Sequence, residues 1–381
     1  MEALLENPIL LFFSITVLLN VFLFLLLFLR FPISTRKQIK DQSWQHTTEE
    51  VPISIIVAAK NEATNLGKNL RHLLAQKYGK FEVIVVNDQS HDNTNDIVQK
   101  LKETHQNLEI VHIDENVNNF RGKKLALTLG IKKAQYDHLV FTDADCSPVS
   151  ENWLKIFNFH FQEKPSTELI LGFGPLTKKF SILNLFIQFE TFYTALQYFS
   201  LALIGRPYMG VGRNLGYTKQ FFFKNKGFSA HLHVSSGDDD LTVNYFGNKD
   251  NTAAVLHPEA FVYSDAKQKW SEWWRQKRRH LDAGKHYKPK HKFNLSLIWF
   301  IRSLFYIGLI VGIIYMPDSM VFWMIAAFFW IVQLATYTWS LTQLKKAYLI
   351  PFSPILDALY FTVYYPIISI FTLFIKRKHA W

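Results

Sequence analysis

Long apolar stretches without charged residues lie near both ends of the chain. The first covers residues 9–29, and its 21 residues form a helix of about 31 Å, which matches the hydrocarbon core of a bilayer. Later stretches that are also long enough to cross a membrane lie at 296–316, 319–341 and 355–375. The pattern predicts an integral membrane protein, with one transmembrane helix within 1–30 and two to three membrane helices within 295–381.

The residues that flank the first stretch predict its orientation. The basic residues that follow it are Arg30, Arg36, Lys37 and Lys40. Basic flanks remain on the cytoplasmic side, so we expect a polar linker at 31–50 and a cytoplasmic domain after it, in a protein of the bacterial inner membrane. The acidic Glu2 and Glu6 before the stretch disfavour the alternative, a cleaved signal peptide.

The C-terminal region leaves two topologies open. Four complete spans place the basic residues at 376–378 outside, whereas their charge favours the cytoplasm. Prolines in the last stretch are compatible with a re-entrant or interfacial hairpin, and we expect a cytoplasmic tail. Arg302, near one end of its stretch, is expected to extend its guanidinium to the membrane interface.

Between the membrane regions, residues 51–294 alternate between strand and helix patterns. Apolar, β-rich runs predict strands at 53–59, 82–87, 108–113, 138–142 and 168–173. Helical patterns occupy 61–76, 92–104 with Asp92 as its N-cap, 122–135 and 151–161. This order predicts an α/β domain with a mostly parallel sheet covered on both faces. The aromatic segment 181–204 has polar residues in its middle, so we expect a helix in the membrane interface.

Composition excludes two classes of protein. Hydrophobic residues make up 49% of the 381 residues and charged residues 19%, which excludes a disordered chain. The single cysteine, Cys146, excludes a disulfide scaffold and is expected to be a small buried residue in a reducing compartment.

The net charge of +11 is partly explained by a basic aromatic segment at 267–292. Its ten Lys or Arg residues and three Trp residues are compatible with nucleic-acid binding, a lipid-facing helix, or a clamp on a diphosphate. We expect no nucleic-acid partner, because the segment lies beside a membrane span.

Polar residues follow the predicted strands where ligands bind in parallel sheets, at the carboxyl ends. They are Asn61 and Glu62 after the first strand, Asp88, Ser90 and Asp92 after the second, and Asp143 and Asp145 after the fourth. Two carboxylates at i and i+2 suit Mg²⁺ or Mn²⁺, with phosphate oxygens completing the coordination. Ordinary turn and cap residues are the alternative interpretation.

A second acidic cluster follows Gly237 and consists of Asp238, Asp239 and Asp240. Consecutive carboxylates repel one another, so at least one pKa should rise, which suits a general base. A solvated turn is the alternative interpretation.

These segments, in this order, resemble the membrane-bound family-2 glycosyltransferases with a GT-A fold, which include cellulose and hyaluronan synthases and ceramide glucosyltransferases. The segments are VPISIIVAAKNEATNL, VVNDQSHDNT, GKKLAL, TDADCSP, GVGRNLGY, SGDDDLTV and RQKRRH. The resemblance covers roughly residues 50–290 and implies a GT-A-like transferase domain for nucleotide-diphosphate sugars, flanked by transmembrane helices.

The resemblance also implies a role for each matching residue. Asp143 and Asp145 hold the metal against the diphosphate, and Asp239 is the general base, with Asp238 next and Asp240 third. The residues expected to bind donor or acceptor are Ala59, Asn61, Glu62, Asp88, Ser90, Lys123 or Lys124, Asp143, Ala144, Arg213, Asn214, Gln276, Arg279 and His280.

Gln276 and Arg279 match the first and fourth positions of the family's QxxRW motif. The next position departs from the motif, because His280 stands where the family has Trp. This departure and the short membrane region favour a single transfer over polymer extrusion. The sequence thus predicts an inverting, metal-dependent transfer from a nucleoside-diphosphate sugar, with a UDP-sugar favoured, to a lipid or membrane-bound acceptor. The alternatives are a DxD phosphatase and a non-catalytic membrane protein with a nucleotide-binding domain.

Overall fold

A computed structural model describes residues 7–113, 122–234 and 236–374, with side chains to 371. Its strands are β1 Ile53–Ala59, β2 Phe81–Asp88, β3 Leu108–Ile113, β4 His138–Asp143, β5 Cys146–Pro148, β6 Leu169–Leu171, β7 Leu215–Thr218, β8 Thr252–Ala254 and β9 Val262–Ser264. The five predicted strands are confirmed as β1–β4 and β6. The other four strands have only three or four residues each, too few for a periodic pattern to stand out.

The main sheet has seven strands in the order β3-β2-β1-β4-β7-β6-β8. β1 is parallel to both β2 and β4, and only β7 runs against its two neighbours. The register pairs Ala58 with Asp143 and Ala59 with Asn87. The carboxyl ends of the three central strands therefore reach one edge together, as the sequence predicted.

Both faces of the sheet are buried, which explains the continuous apolar runs. In β1, Ile56 packs into a core that extends to the membrane helices, whereas Ile55 and Val57 pack into a second core on the opposite face. Adjacent residues of a strand point to opposite faces, so one unbroken apolar strand contributes to both cores.

Helices cover the two faces and connect the domain to the membrane region. They are α1 Pro8–Leu23, α2 Arg30–Lys40, α3 Ala63–Leu74, α4 Thr94–Lys102, α5 Lys123–Lys133, α6 Trp153–Glu163, α7 Ile182–Leu203, α8 Lys219–Lys224, α9 Asp240–Phe246, α10 Trp270–Gly284, α11 Pro289–Tyr315, α12 Met320–Gln343, α13 Ser353–Leu359 and α14 Tyr365–Phe374.

The predicted N-cap of α4 was wrong by one residue. Asn93 precedes the helix, whereas Asp92 lies one position earlier. Asp92 still accepts the Thr94 N–H at 3.1 Å through Oδ1 and the Ala63 N–H at 3.1 Å through Oδ2. Its carboxylate therefore joins the starts of α3 and α4.

Four helical stretches among the described residues are long and apolar enough to cross a membrane: Pro8–Lys40, Pro289–Tyr315, Met320–Gln343 and Ala347–Phe371. The first continues through α2, so the expected linker at 31–50 is helical over its first ten residues. The predicted cytoplasmic tail at 376–378 lies outside the described residues.

The α7 helix, which was expected to lie in the membrane interface, is enclosed by protein along most of its length. Glu190 in its middle is 4% exposed and pairs with Lys277 Nζ at 2.8 Å. Trp273 Nε1 donates to the same carboxylate at 3.3 Å. Glu190 thus connects the middle of α7 to α10.

Arg302 does not extend to the membrane interface as the sequence predicted. Its guanidinium is fully buried, pairs with Asp357 of α13 and donates to Asn20 Oδ1 at 3.0 Å. Tyr306 and Tyr337 donate their hydroxyls to the same Asp357 carboxylate. The Asp357 carboxylate neutralises the Arg302 guanidinium within the helix bundle. Arg302 is therefore stable inside the bundle and does not need to extend to the aqueous interface.

Candidate active site

The loops after β1 and β2 meet at the carboxyl edge of the sheet, beyond the buried Ala59. Asn61 has a φ of +55° and donates its N–H to Ser90 Oγ at 2.9 Å. Its side-chain oxygen accepts the His91 N–H at 2.8 Å. Asn adopts left-handed backbone more readily than most residues, which allows this close approach of the two loops.

Asp88 ends β2 with its side chain pointing into the protein, and it is 2% exposed. Its Oδ2 atom has no hydrogen-bond partner among the described residues, and Lys60 Nζ lies 3.7 Å away. Buried polar atoms are nearly always hydrogen-bonded in native proteins. Among the described residues, this oxygen therefore has the Lys60 ammonium as its ion-pair partner.

Asp143 ends β4, and Asp145 follows it in the turn before β5. One ligand atom from each of Asp143, Asp145 and Cys146 lies within 4.8 Å of the others. The buried backbone of Ala144 lies between the two acids, and its carbonyl accepts from Asn69 Nδ2 at 3.1 Å. The two carboxylates are thus held on one side of the turn.

The acids at this edge influence one another's ionisation. Burial and the charge of Asp143 raise the pKa of Asp145. Burial also raises the pKa of Glu62, and the charges of Asp145 and Asp143 raise it further. Burial opposes ionisation of Asp143, but the Lys123 ammonium outweighs it and lowers the Asp143 pKa. A bound cation would relieve the repulsion among these three groups.

Lys123 connects the two acidic motifs that the sequence singled out. Its Nζ donates to Asp143 Oδ1 at 2.7 Å and lies 3.2 Å from Asp238 Oδ2. Lys123 is the first residue of α5, so the start of this helix brings a cation between the two carboxylates. Asp143 and Asp145, here called the DxD pair, and residues 237–240, here called the GDDD cluster, therefore line one crevice.

Asp239 is held by backbone donors. Its Oδ2 accepts the Gly212 N–H at 2.6 Å, and its Oδ1 accepts the Asp240 N–H at 2.7 Å. A Cβ on Gly212 would lie 3.1 Å from Asp239 Oδ2, so a side chain there would crowd the carboxylate. Burial and the neighbouring Asp238 raise the pKa of Asp239.

Asp240 faces away from Lys123. Its Oδ2 accepts the Tyr287 hydroxyl at 2.8 Å, and its Oδ1 accepts the Leu241 N–H at 2.8 Å. Burial, with the charge of Asp239, raises the pKa of Asp240 to about 8. The predicted rise of at least one pKa in this cluster is confirmed, and Asp240 is mainly protonated at neutral pH.

Two of the residues expected to bind substrate make structural contacts instead. Asn214 is fully buried and donates both amide hydrogens to backbone carbonyls, those of Phe173 and Ala260, each at 2.8 Å. Lys124 is 4% exposed, and its Nζ donates to the carbonyls of His231 and Val234 at 2.7 and 2.8 Å. Lys124 thereby anchors the loop before the GDDD cluster.

We predict that Lys124→Met lowers kcat by about 100-fold and leaves nucleotide affinity within about twofold of wild type. The loop loses its anchor and the acids after it shift, whereas Asp88, the expected nucleoside contact, and Asp145, the expected metal ligand, lie on other loops. Steady-state kinetics and nucleotide titration measure the two quantities. Lys132→Met, an exposed lysine on the same helix, is the matched control. Equal losses in both variants, or an equal loss of nucleotide affinity, would contradict this role.

The α10 helix contributes positive charge beside the acids. Burial has the largest effect on the pKa of Asp143 and raises it, whereas Lys123 lowers it. The charges of Arg213 and Arg279 have smaller effects, which also lower the Asp143 pKa. Ser236, just before the GDDD cluster, donates its hydroxyl to the Arg279 carbonyl at 3.1 Å. Gln276 and His280 lie on this same helix, four residues apart and therefore on one face.

The sequence did not predict the role of Tyr287. It lies between α10 and α11, 47 residues from the Asp240 carboxylate to which its hydroxyl donates. Its only signal was membership of the basic aromatic segment, which indicates no individual partner.

The donor set at Asp143 and Asp145 suits a hard divalent cation. Burial raises the Cys146 pKa well above its ordinary value, and its thiol hydrogen-bonds to Asp145 Oδ1 at 3.3 Å. A protonated thiol is a poor metal ligand, so we expect a metal ion to bind the carboxylates of Asp143 and Asp145. With only two protein ligands, the site suits an ion that also binds water and phosphate, such as Mg²⁺.

Comparison with known proteins supports these assignments of fold and class. The model of glycosyl transferase family 2 matches residues 54–171. A probable glycosyltransferase of Bacillus subtilis, YdaM, is 24% identical over 374 residues, covering 88% of this chain and 86% of its own. The poly-β-1,6-N-acetyl-D-glucosamine synthase of Staphylococcus aureus is 35% identical over 132 residues, covering 35% of this chain and 31% of the synthase.

A solved structure agrees in fold. The mannosyltransferase PcManGT from Pyrobaculum calidifontis, determined with GDP-Man and Mn²⁺, superimposes with a TM-score of 0.53 at 18% identity, covering 92% of this chain and 99% of its own. These findings favour the transferase interpretation over the phosphatase and non-catalytic alternatives. Residues 54–171 therefore match the model of glycosyl transferase family 2, the chain shares its fold with a solved mannosyltransferase, and four helices among the described residues are long enough to span a membrane.

Proposed function

We propose that this protein transfers one sugar from a nucleoside-diphosphate sugar to a lipid or membrane-bound acceptor, with inversion at the anomeric carbon. The observation that carries the proposal is the Lys123 bridge, which joins the DxD pair and the GDDD cluster in one crevice. A donor held at the first motif thereby lies next to a base at the second.

The nucleoside end of the donor is assigned to the edge formed by β1 and β2. Asp88 offers a buried carboxylate oxygen without a hydrogen-bond partner among the described residues. Glu62 and the linked Asn61–Ser90 loops lie at the same edge. We favour a UDP-sugar, the donor that the family resemblance implies, and the 35% identity over 132 residues to a poly-β-1,6-N-acetyl-D-glucosamine synthase makes UDP-N-acetylglucosamine the first donor to test. GDP-Man, the ligand of PcManGT, is the second donor to test.

Asp143 and Asp145 would hold a Mg²⁺ or Mn²⁺ ion. Such an ion, when bound, neutralises charge on a diphosphate leaving group. Arg213 and Arg279 lower the pKa of Asp143, and they would add positive potential beside the diphosphate. Lys123 would turn from Asp143 toward the diphosphate or keep its contact with Asp238.

Asp239 is the proposed general base. Asp238 has Lys123 as an ion-pair partner, and Asp240 is mainly protonated at neutral pH with its pKa of about 8. Asp239 accepts only backbone N–H groups among the described residues, and burial raises its pKa, which makes it a stronger base.

In the proposed reaction, an Asp239 oxygen removes the proton from the acceptor hydroxyl. The hydroxyl oxygen forms its bond to the anomeric carbon as the bond from that carbon to the diphosphate oxygen breaks. A single displacement inverts the configuration. The nucleoside diphosphate leaves with the electron pair of the broken bond.

The acceptor and the location follow from the membrane region. The exposed basic residues of α2 lie at the C-terminal end of the first candidate span, which favours a cytoplasmic catalytic domain in a bacterial inner membrane. A single transfer is favoured over polymer synthesis because His280 stands where the processive synthases have the Trp of the QxxRW motif. The acceptor hydroxyl would then belong to a membrane lipid or a lipid-borne glycan.

A donor panel tests the proposal. Detergent-purified protein is incubated with a bacterial lipid extract, Mn²⁺, and one of UDP-glucose, UDP-galactose, UDP-N-acetylglucosamine or GDP-mannose, each labelled in the sugar. We expect one donor to transfer its label to the organic phase, and we expect EDTA to abolish the transfer. Folded protein that uses none of the donors, or transfer that persists in EDTA, would contradict the proposal.

A further inference from the structure

A cavity of about 630 Å³, apart from the candidate active site, lies at the first turn of α11, where this candidate span meets the domain. Its walls come from three places in the chain: the turn after α7, the turn after α9, and the start of α11. The charged residues that line it are Arg206 and Lys290, and no Asp or Glu is among its described lining residues. The cavity is therefore positively charged.

His291 gives this cavity a buried polar group. The residue is 2% exposed, and neither of its ring nitrogens has a hydrogen-bond partner among the described residues. His291 is among the residues that line the cavity, next to Lys290, with Asn248 and Asn294 as further polar residues. Buried imidazoles without partners are rare in native structures, so a ligand in the cavity is the partner that this ring lacks among the described residues.

The start of α11 adds a favourable dipole. The helix begins at Pro289, which has no N–H, and is 27 residues long; the N–H groups of His291 and Lys292 donate to the Lys288 carbonyl at 2.9 and 3.1 Å, so the Lys290 N–H is the first backbone donor that faces this end. Helix N-termini of this kind bind phosphate groups. Two cations and a buried imidazole at the positive end of a helix together match a phosphate ester.

The surroundings of the cavity indicate that its ligand comes from the membrane. Phe293, also among the lining residues, is 67% exposed. Leu297 and Phe300 continue this exposed apolar side along α11 at helical spacing. A lipid with its chains against this side would bring its head group to the level of Arg206 and Lys290.

We propose that this cavity binds the phosphate-bearing head group of an anionic membrane lipid. The site is separate from the crevice at Asp143 and Asp239, and the proposal does not depend on the transfer reaction. The segment between the two connects them, because the Lys288 N–H donates to Asn244 Oδ1 at 2.8 Å and Tyr287 bonds Asp240. Lipid binding at the start of α11 thereby steadies the segment that holds Asp240.

Native mass spectrometry of the full-length protein in detergent tests the proposal, with titrations of phosphatidylglycerol, of phosphatidylcholine with the same chains, and of sn-glycerol 1-phosphate. We expect phosphatidylglycerol to bind about tenfold more tightly than the other two. The double variant Arg206→Gln/Lys290→Gln should lose this preference, and His291→Phe should weaken it. Both cations are exposed, so folding is expected to survive their replacement, and circular dichroism checks it.

The control removes two other exposed positive charges, at the C-terminal end of the first candidate span, as Arg36→Gln/Lys40→Gln. It should keep the wild-type preference. The proposal is overturned if the Arg206/Lys290 variant binds phosphatidylglycerol like wild type, or if the control loses as much. It is also overturned if sn-glycerol 1-phosphate binds as tightly as the lipid, since the ligand would then be a free phosphate ester.

Discussion

Replacing Asp239 with Asn is expected to lower sugar transfer by about 10²–10⁴-fold and to leave nucleotide affinity unchanged. The amide keeps the shape of the carboxylate but cannot take a proton from the acceptor hydroxyl. Its oxygen can still accept one of the two backbone N–H bonds, from Gly212 or Asp240, that hold the carboxylate. Donor turnover and nucleotide titration on the same preparation give the two results.

The neighbouring acid supplies the control for this prediction. Asp240→Asn should keep transfer within about tenfold of wild type, because Asp240 is already mainly uncharged near neutral pH and acts through Tyr287. Burial raises the pKa of Asp239, and the base must be deprotonated to act. The wild-type rate should therefore fall as the pH drops through this raised pKa, and Asp239→Asn should lack that fall. If the Asp240 variant were the inactive one, the base would be assigned to the wrong residue.

Replacing Asp145 with Ala should lower transfer by about 10³-fold and abolish the contribution of Mn²⁺ to nucleotide binding. The carboxylate is one of the two expected metal ligands, and its loss leaves Asp143 alone with Lys123. In EDTA, the variant and wild type should bind nucleotide equally weakly. Isothermal titration with and without Mn²⁺ separates the metal-dependent part.

Cys146 offers a matched control, because its sulfur belongs to the same cluster as the two carboxylates. The thiol stays protonated, since burial raises its pKa, so Cys146→Ala should retain metal-dependent binding. Equal losses in the Asp145 and Cys146 variants would indicate a damaged turn and would contradict a specific ligand role for Asp145.

The central strands and the position of the acids could be predicted from the sequence because both depend on local signals. The run at 53–59 coincides with β1, and a polar residue directly after a buried strand must lie at the sheet edge. β7 was not predicted from the sequence, because its four residues, Leu215–Thr218, include a glycine and belong to the GVGRNLGY segment, which was interpreted as a ligand-binding loop. Its antiparallel insertion depends on pairing with β4 and β6, which local patterns do not encode.

The different roles of Lys123 and Lys124 could not be predicted from local sequence patterns either. Neighbouring residues on a helix point about 100° apart, so Lys123 reaches Asp143 while Lys124 turns toward the carbonyls of His231 and Val234. Which lysine faces the crevice depends on how α5 rotates against the sheet. Arg302 is a second case, because its partner Asp357 is distant in sequence and only the packing of the helices brings them together.

Calorimetric binding of UDP and GDP to the purified full-length protein, with and without Mn²⁺, tests the central claim most directly. The account predicts that one nucleotide binds, that Mn²⁺ strengthens this binding by about 100-fold or more, and that Asp145→Ala removes the gain. Folded protein that binds neither nucleotide, or binds one equally well in EDTA, would contradict the assignment of the crevice between Asp88 and Asp239 as a metal-assisted nucleotide-sugar site.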